Sequence, residues 1–235
     1  MLRERVKSFL RGTRSPEDAN SLGNGGTVPH VPSRQARTQA VETRQSRGLE
    51  QFFNCFRDQI GLSILDLGGA YQENVNFITN LGHKFHSEDF ARIFHETFGQ
   101  DIADQANPGR IDYFLRQSLD YEAEQFDGVL AWDALEYMEP PLLAATVDRL
   151  LHILKPHGYL MAIFHPADRK TRVPCYTFRI QGPRSLQVTQ TGERPPSQQV
   201  FNNRGVEKIF QNFESIRSFL SRDSMREIIV RKRSA

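Results

Sequence analysis

The chain has 235 residues, 38% of them hydrophobic and 25% charged, with 16 Gly and 12 Pro. This is an ordinary globular composition that excludes collagen-like and wholly disordered classes and suits one large domain or two small ones. The net charge of +2 is unevenly spread: residues 1–50 carry 9 Lys/Arg against 5 Asp/Glu, while residues 51–221 carry 16 against 21. Positive charge in the tails rather than on the body argues against nucleic acid as a partner.

No apolar run reaches the roughly 18 residues of a membrane helix, and the N-terminus lacks the apolar core of a secretory signal, so a cytoplasmic protein is expected. Cys55 and Cys175 are the only cysteines, too few for a disulfide framework and without zinc-site spacing. The seven histidines form no metal set either: His83 and His86, three apart in a predicted strand, point to opposite faces.

Met1–Arg11 has the spacing of a short basic amphipathic helix, and Ser15–Gly48 is almost free of large apolar side chains. Residues 1–48 are therefore predicted to form a flexible basic extension, and 49–235 the folded domain. Leu49, Phe52, Phe53, Phe56 and Ile60 fall on one helical face ending at Gly61. Strand and helix then alternate: Ser63–Leu67 strand, Glu73–Leu81 helix, His83–Glu88 strand, Phe90–Phe98 helix, Ile111–Leu115 strand, Phe126–Trp132 strand, Pro141–Leu154 helix and Tyr159–Phe164 strand. Thr177–Val188 reads as a strand pair or an irregular insert, Val206–Phe213 as a helix. Ser215–Leu220 and Arg226–Arg231 read as a hairpin around Arg222-Asp223-Ser224. The pattern predicts an α/β fold with a mainly parallel sheet and helices on both faces.

The main site signal is Ile64-Leu65-Asp66-Leu67-Gly68-Gly69-Ala70. A buried strand ending in glycine before a helix lets the backbone approach a nucleotide-like ligand at the helix N-terminus. Asp89 stands 23 residues after Asp66, where a carboxylate at the end of the next strand can hold a ribose. Glu88 takes that place if the register slips by one, and Asp89 is equally suited to capping Phe90–Phe98.

Four segments, ILDLGGA (64–70), HSEDF (86–90), FDGVLAWDALEYMEPP (126–141) and LLHILKPHGYLMAIFHP (150–166), together resemble the class I S-adenosylmethionine-dependent methyltransferases. Glu136-Tyr137 and Lys155-Pro156-His157-Gly158 stand where that family has Glu-His and Lys-Pro-Gly-Gly. The resemblance covers about Leu49 to Lys232. It implies a Rossmann-like seven-stranded sheet whose last strand is antiparallel, and S-adenosyl-L-methionine held by Asp66, Gly68, Gly69, Ala70, Glu88, Asp89 and Trp132. It further implies transfer of the methyl group to a small-molecule acceptor whose pocket includes Tyr137 and His165.

Methyl transfer from a sulfonium depends mainly on alignment, so no universal catalytic residue is expected. Asp133, Glu136 and His165 are the candidate bases, with capping, solvent exposure and loop closure as their structural alternatives. Trp132 and Tyr137 either wall the pocket or pack in the core. Tyr71 stands where the family has a small residue, and no acid follows the expected third strand near Gln117 and Ser118. The alternative is therefore a methyltransferase-like binding or regulatory protein without turnover. A nicotinamide dehydrogenase is disfavoured by the missing Gly-x-Gly-x-x-Gly and by the terminal hairpin.

Overall fold

The computed structural model describes residues 41–99, 103–166, 172–195, 197, 201–221 and 224–234. The expectations for Met1–Arg11 and for most of Ser15–Gly48 fall outside these residues. In chain order the elements are β1 (Val41–Gln45), α1 (Arg47–Asn54), β2 (Ser63–Asp66), α2 (Gln72–Asn80), β3 (Lys84–Ser87) and α3 (Phe90–Phe98). A 3-10 turn (Ala103–Ala106), α4 (Pro108–Ser118), β4 (Phe126–Trp132), a second 3-10 turn (Ala134–Tyr137), α5 (Pro140–Ile153) and β5 (Leu154–Phe164) follow. The chain then forms β6 (Val173–Gly182), β7 (Ser185–Arg194), α6 (Asn203–Ile209), β8 (Ser215–Leu220) and β9 (Arg226–Arg231).

The main sheet runs β3-β2-β4-β5-β9-β8. β3, β2, β4 and β5 are parallel, and β9 is antiparallel to both β5 and β8. Alternation along the central strands sorts the core into two layers. Leu65, Val129, Ala131, Leu160, Ala162, Ile228 and Val230 join the layer under α3, α4, α5 and α6. Ile64, Leu130, Trp132, Met161, Ile163 and Ile229 join the layer under α1, α2 and a small antiparallel sheet ordered β1-β7-β6. Both faces of the main sheet are thus covered, as parallel strands require. None of the described helices is long and apolar enough to cross a membrane.

One expected strand is a helix. The main sheet has six strands among the described residues, not seven, because Ile111–Leu115 lies inside α4. Asn107 caps that helix by accepting from the amides of Gly109 (2.9 Å) and Arg110 (3.4 Å), and Pro108 opens it. Asp112 and Arg116, which look misplaced in an alternating strand, form an i,i+4 ion pair on the outer face of the helix.

β1 and the start of α1 lie before Leu49. Val41–Gln45 pairs in register with Ser185–Thr189 of β7, and Ser46 caps α1 by accepting from the Leu49 amide at 2.9 Å. VETRQ has no alternating hydropathy, since its strand is held through main-chain bonds at an edge. The 177–188 segment is a strand pair, the first of its two sequence readings, and belongs to the long β6–β7 hairpin that roofs the strand ends.

Candidate functional site at the strand ends

β2 lies between β3 and β4, so the crossovers diverge at its carboxyl end, the crevice where open α/β sheets bind ligands. The segments after β2, β3 and β4 meet there, and β6 lies across them.

Asp66 organises this meeting point without lining it. Its fully buried carboxylate accepts from Trp132 Nε1 (2.6 Å) and the Gly68 amide (2.8 Å) on Oδ1, and from Asn74 Nδ2 (2.7 Å) on Oδ2. Burial pushes the Asp66 carboxyl up to about 6, against the opposing pull of these three donors. Asn74 continues the network into the roof: Nδ2 also donates to the Phe178 carbonyl (3.1 Å), and Oδ1 accepts from the Ile180 amide (2.7 Å). The Trp132 indole then stacks face to face on Phe178, with ring centres 5.1 Å apart.

Gly68 and Gly69 differ in what they face. A Cβ at Gly68 would lie 3.0 Å from Trp132 Cδ1 and Nε1, whereas a Cβ at Gly69 meets nothing within 4 Å. Gly69 has φ +95°, a conformation that favours glycine. Ala70 is exposed beside it. Trp132 itself sits at φ +50°, an unusual value for a bulky residue and one that concentrates at functional sites.

Asp89 has the capping role that the sequence offered as one alternative. It caps α3 by accepting from the Arg92 amide at 3.1 Å, and it lines the cleft. Glu88 turns away to accept from the Tyr121 hydroxyl, whose proton is held more tightly by burial and by that carboxylate.

After β4, Asp133 lines the cleft with 6% exposure. Its Oδ2 accepts from the Tyr137 hydroxyl and from the Tyr176 amide of β6 (3.2 Å). Burial pushes its carboxyl up to about 6, against the Tyr137 hydrogen bond and the nearby His165. The Pro174 carbonyl lies 3.0 Å from the same Tyr137 hydroxyl. Both strand-end aspartates are therefore linked to the roof.

His165, expected at the pocket wall, does not line the cleft. Its main-chain amide (3.2 Å) and Nδ1 both meet Glu136 Oε2, and its ring stacks on Tyr176 at 5.3 Å. The Nε2 atom is buried without a partner. Glu136 is likewise buried away from the cleft rather than on a solvated helix face.

The cleft has a volume of about 140 Å³, and its walls include the rings of Phe90, Phe94, Trp132, Tyr137, Tyr176 and Phe178. Of the residues singled out in the sequence, Gly68, Asp89, Trp132, Asp133 and Tyr137 line the cleft and Asp66, Glu88, Glu136 and His165 do not, while Asn74 and the aromatic residues of β6 were not singled out. Asn74 had one legible signal, an amide on the apolar face of α2 beside Phe77 and Ile78.

No family model matches the sequence, and no curated protein matches it. Solved structures do resemble it. One is the Burkholderia thailandensis 1,6-didemethyltoxoflavin-N1-methyltransferase with bound 1,6-didemethyltoxoflavin and S-adenosylhomocysteine, at 14% identity, TM-score 0.44, covering 80% of this chain and 78% of that one. A second is a SAM-dependent methyltransferase from Aquifex aeolicus, at 14% identity, TM-score 0.43, covering 78% and 88%. A third is the cyclase SpnF, at 14% identity, TM-score 0.46, covering 80% of each chain.

Proposed function

We propose that the protein is an S-adenosylmethionine-dependent methyltransferase acting on a small-molecule acceptor. The observation that carries this reading is the convergence of Gly69, Asp89 and an aromatic cleft at the carboxyl ends of β2, β3 and β4, where the sheet order reverses. The residues present fit the cofactor: Gly69 leaves open space for close approach, Tyr71 supplies no side-chain cap to the α2 N-terminus, and Asp89 offers a carboxylate to a ribose. When bound, the cofactor supplies an electrophilic methyl group.

The enclosed space of about 140 Å³ is smaller than the roughly 300 Å³ at which whole-ligand pockets begin. It serves as the acceptor chamber, with Asp89 on its wall and the open space at Gly69 turned to the nucleoside. Asp133 is the base: its Oδ2 is engaged by Tyr137 and Tyr176, which fixes the carboxylate and leaves Oδ1 for a nucleophile's N–H or O–H. A carboxyl at about 6 is ionised at pH 7 and close enough to neutrality to accept a proton in the transition state. The aromatic walls exclude water from the transfer.

Calorimetric titration with S-adenosylhomocysteine and with NAD tests the reading. S-adenosylhomocysteine should bind and NAD should not, and Asp89→Ala should weaken the binding by about 10- to 150-fold, the worth of a charge-assisted hydrogen bond. Absence of S-adenosylhomocysteine binding in the intact protein overturns the methyl-transfer reading.

A further inference from the structure

Arg194, at the end of β7, is the one cation among the described residues that line the cleft. Its guanidinium carbon lies 4.6 Å from the centre of the Phe94 ring and 5.5 Å from that of Tyr137. Among the described residues it donates to the Ala91 carbonyl at 3.4 Å and is hydrogen-bonded to the Cys175 side chain. It makes no ion pair with a carboxylate among the described residues, in contrast to Arg179, which meets Glu73 at 3.8 Å, and Arg172, which meets Glu193 at 3.4 Å.

A guanidinium held on two ring faces is fixed in position, and beyond the N–H groups that meet Ala91 and Cys175 it keeps donors that match a carboxylate or a phosphate. The same arrangement disfavours a cationic ligand, because the faces of Phe94 and Tyr137 that would attract one already carry Arg194. Tyr137 also connects the two poles of the cleft: its ring lies under Arg194 and its hydroxyl donates to Asp133. The volume limits what lies between them. A cavity of about 150 Å³ holds one benzene ring, and this one measures about 140 Å³.

We propose that the cleft takes a single aromatic ring bearing an acidic group, with the anion on Arg194 and an N–H or O–H of the same ring at Asp133. This substrate class rests on the methyl-transfer reading for its chemistry, but anion binding at Arg194 does not depend on it. Arg194 is then a specificity residue, selecting acidic acceptors over neutral ones of the same shape.

The test uses 4-hydroxybenzoate and its neutral isostere 4-hydroxybenzamide, titrated into the intact protein and into Arg194→Gln and Arg194→Lys, with binding followed by Trp132 emission and calorimetry. The acid should bind at least about tenfold more tightly than the amide, Arg194→Gln should abolish the difference, and Arg194→Lys should keep part of it. Equal binding of acid and amide, no binding of either, or a preference that survives Arg194→Gln overturns the proposal. S-adenosylhomocysteine titrated into the same samples separates the two readings. Binding of S-adenosylhomocysteine without an acid preference removes the Arg194 proposal alone. An acid preference without S-adenosylhomocysteine binding removes methyl transfer and leaves the anion site standing.

Discussion

The indole of Trp132 lies in the space that a side chain at Gly68 would enter, with Cδ1 and Nε1 each 3.0 Å from an ideal Cβ there. Glycine at 68 is thus explained inside the protein, by its neighbour, and Gly69 is the residue that faces open space. The indole has little room to yield, since Nε1 is bonded to Asp66 and its face is stacked on Phe178. Gly68→Ala should therefore cost about 1–3 kcal/mol, the usual range for overpacking. Trp132 is the only tryptophan, so its emission should change in the same variant. Unaltered stability and emission would show that the indole moves freely.

Asn74 should be the most sensitive polar residue of the roof. It satisfies one oxygen of a buried carboxylate and both a carbonyl and an amide of β6. Asn74→Ala leaves these groups without partners, a loss of about 2–4 kcal/mol at the cost of one to three per unsatisfied group, tempered by water entering from the cleft. Hydrogen exchange should localise the effect, with the Ile180 amide exchanging much faster while Leu150 in α5 keeps its protection. Equal acceleration at both amides would mean global destabilisation instead of a loosened hairpin.

Strands and helices with strong periodicity were legible in the sequence: Phe90–Phe98, Phe126–Trp132, Ser215–Leu220 and Arg226–Arg231 stand where hydropathy places them. Elements held by something other than apolar pattern were not. VETRQ is a strand because β7 offers it an edge, and Ile111–Leu115 is helical because Asn107 and Pro108 start a helix whose apolar residues happen to be few. His157 shows the reverse case. It replaces an expected glycine and sits at φ +64°, so the backbone geometry persists although the residue does not. At the site, the order of Asp66, Gly68, Asp89 and Asp133 along the chain was enough to bring them to one end of the sheet. The roof was illegible because β6 reaches those residues through main-chain groups, Phe178 O, Ile180 N and Tyr176 N, which carry no sequence signature.

The raised carboxyls of Asp66 and Asp133 set a pH dependence with a definite sign. Each binds its proton more tightly in the folded state, at about 6, than its ordinary value of 3.8. Their contribution is therefore fully favourable below about pH 4 and is lost as pH rises toward 6, by at most about 1.4 kcal/mol per pH unit for each group. Asp133→Asn can retain both bonds on its amide oxygen while removing the titration. Urea unfolding between pH 4 and 7 should give a shallower decline in this variant than in the unaltered protein. Identical slopes would remove Asp133 as a titrating group in this window.

His165 and Glu136 form a buried pair, and its covering by Tyr176 yields the most local prediction. Because a carboxylate can only accept, Nδ1 carries the proton toward Glu136, which leaves Nε2 as the atom without a partner. Glu136→Ala strands both Nδ1 and the main-chain amide of His165 and should cost about 2–5 kcal/mol, whereas Glu136→Gln preserves an acceptor and should cost clearly less. The Tyr176 ring, stacked at 5.3 Å, stands between this imidazole and the cleft that Tyr176 lines. Diethyl pyrocarbonate should therefore modify exposed His152 readily in the folded protein and leave His165 untouched. Tyr176→Ala should open Nε2 to the reagent without unfolding the chain, and peptide mass analysis reads the two sites separately. Modification of His165 at the same rate in both proteins would show that the imidazole is reached by another path, and that the hairpin does not shield it.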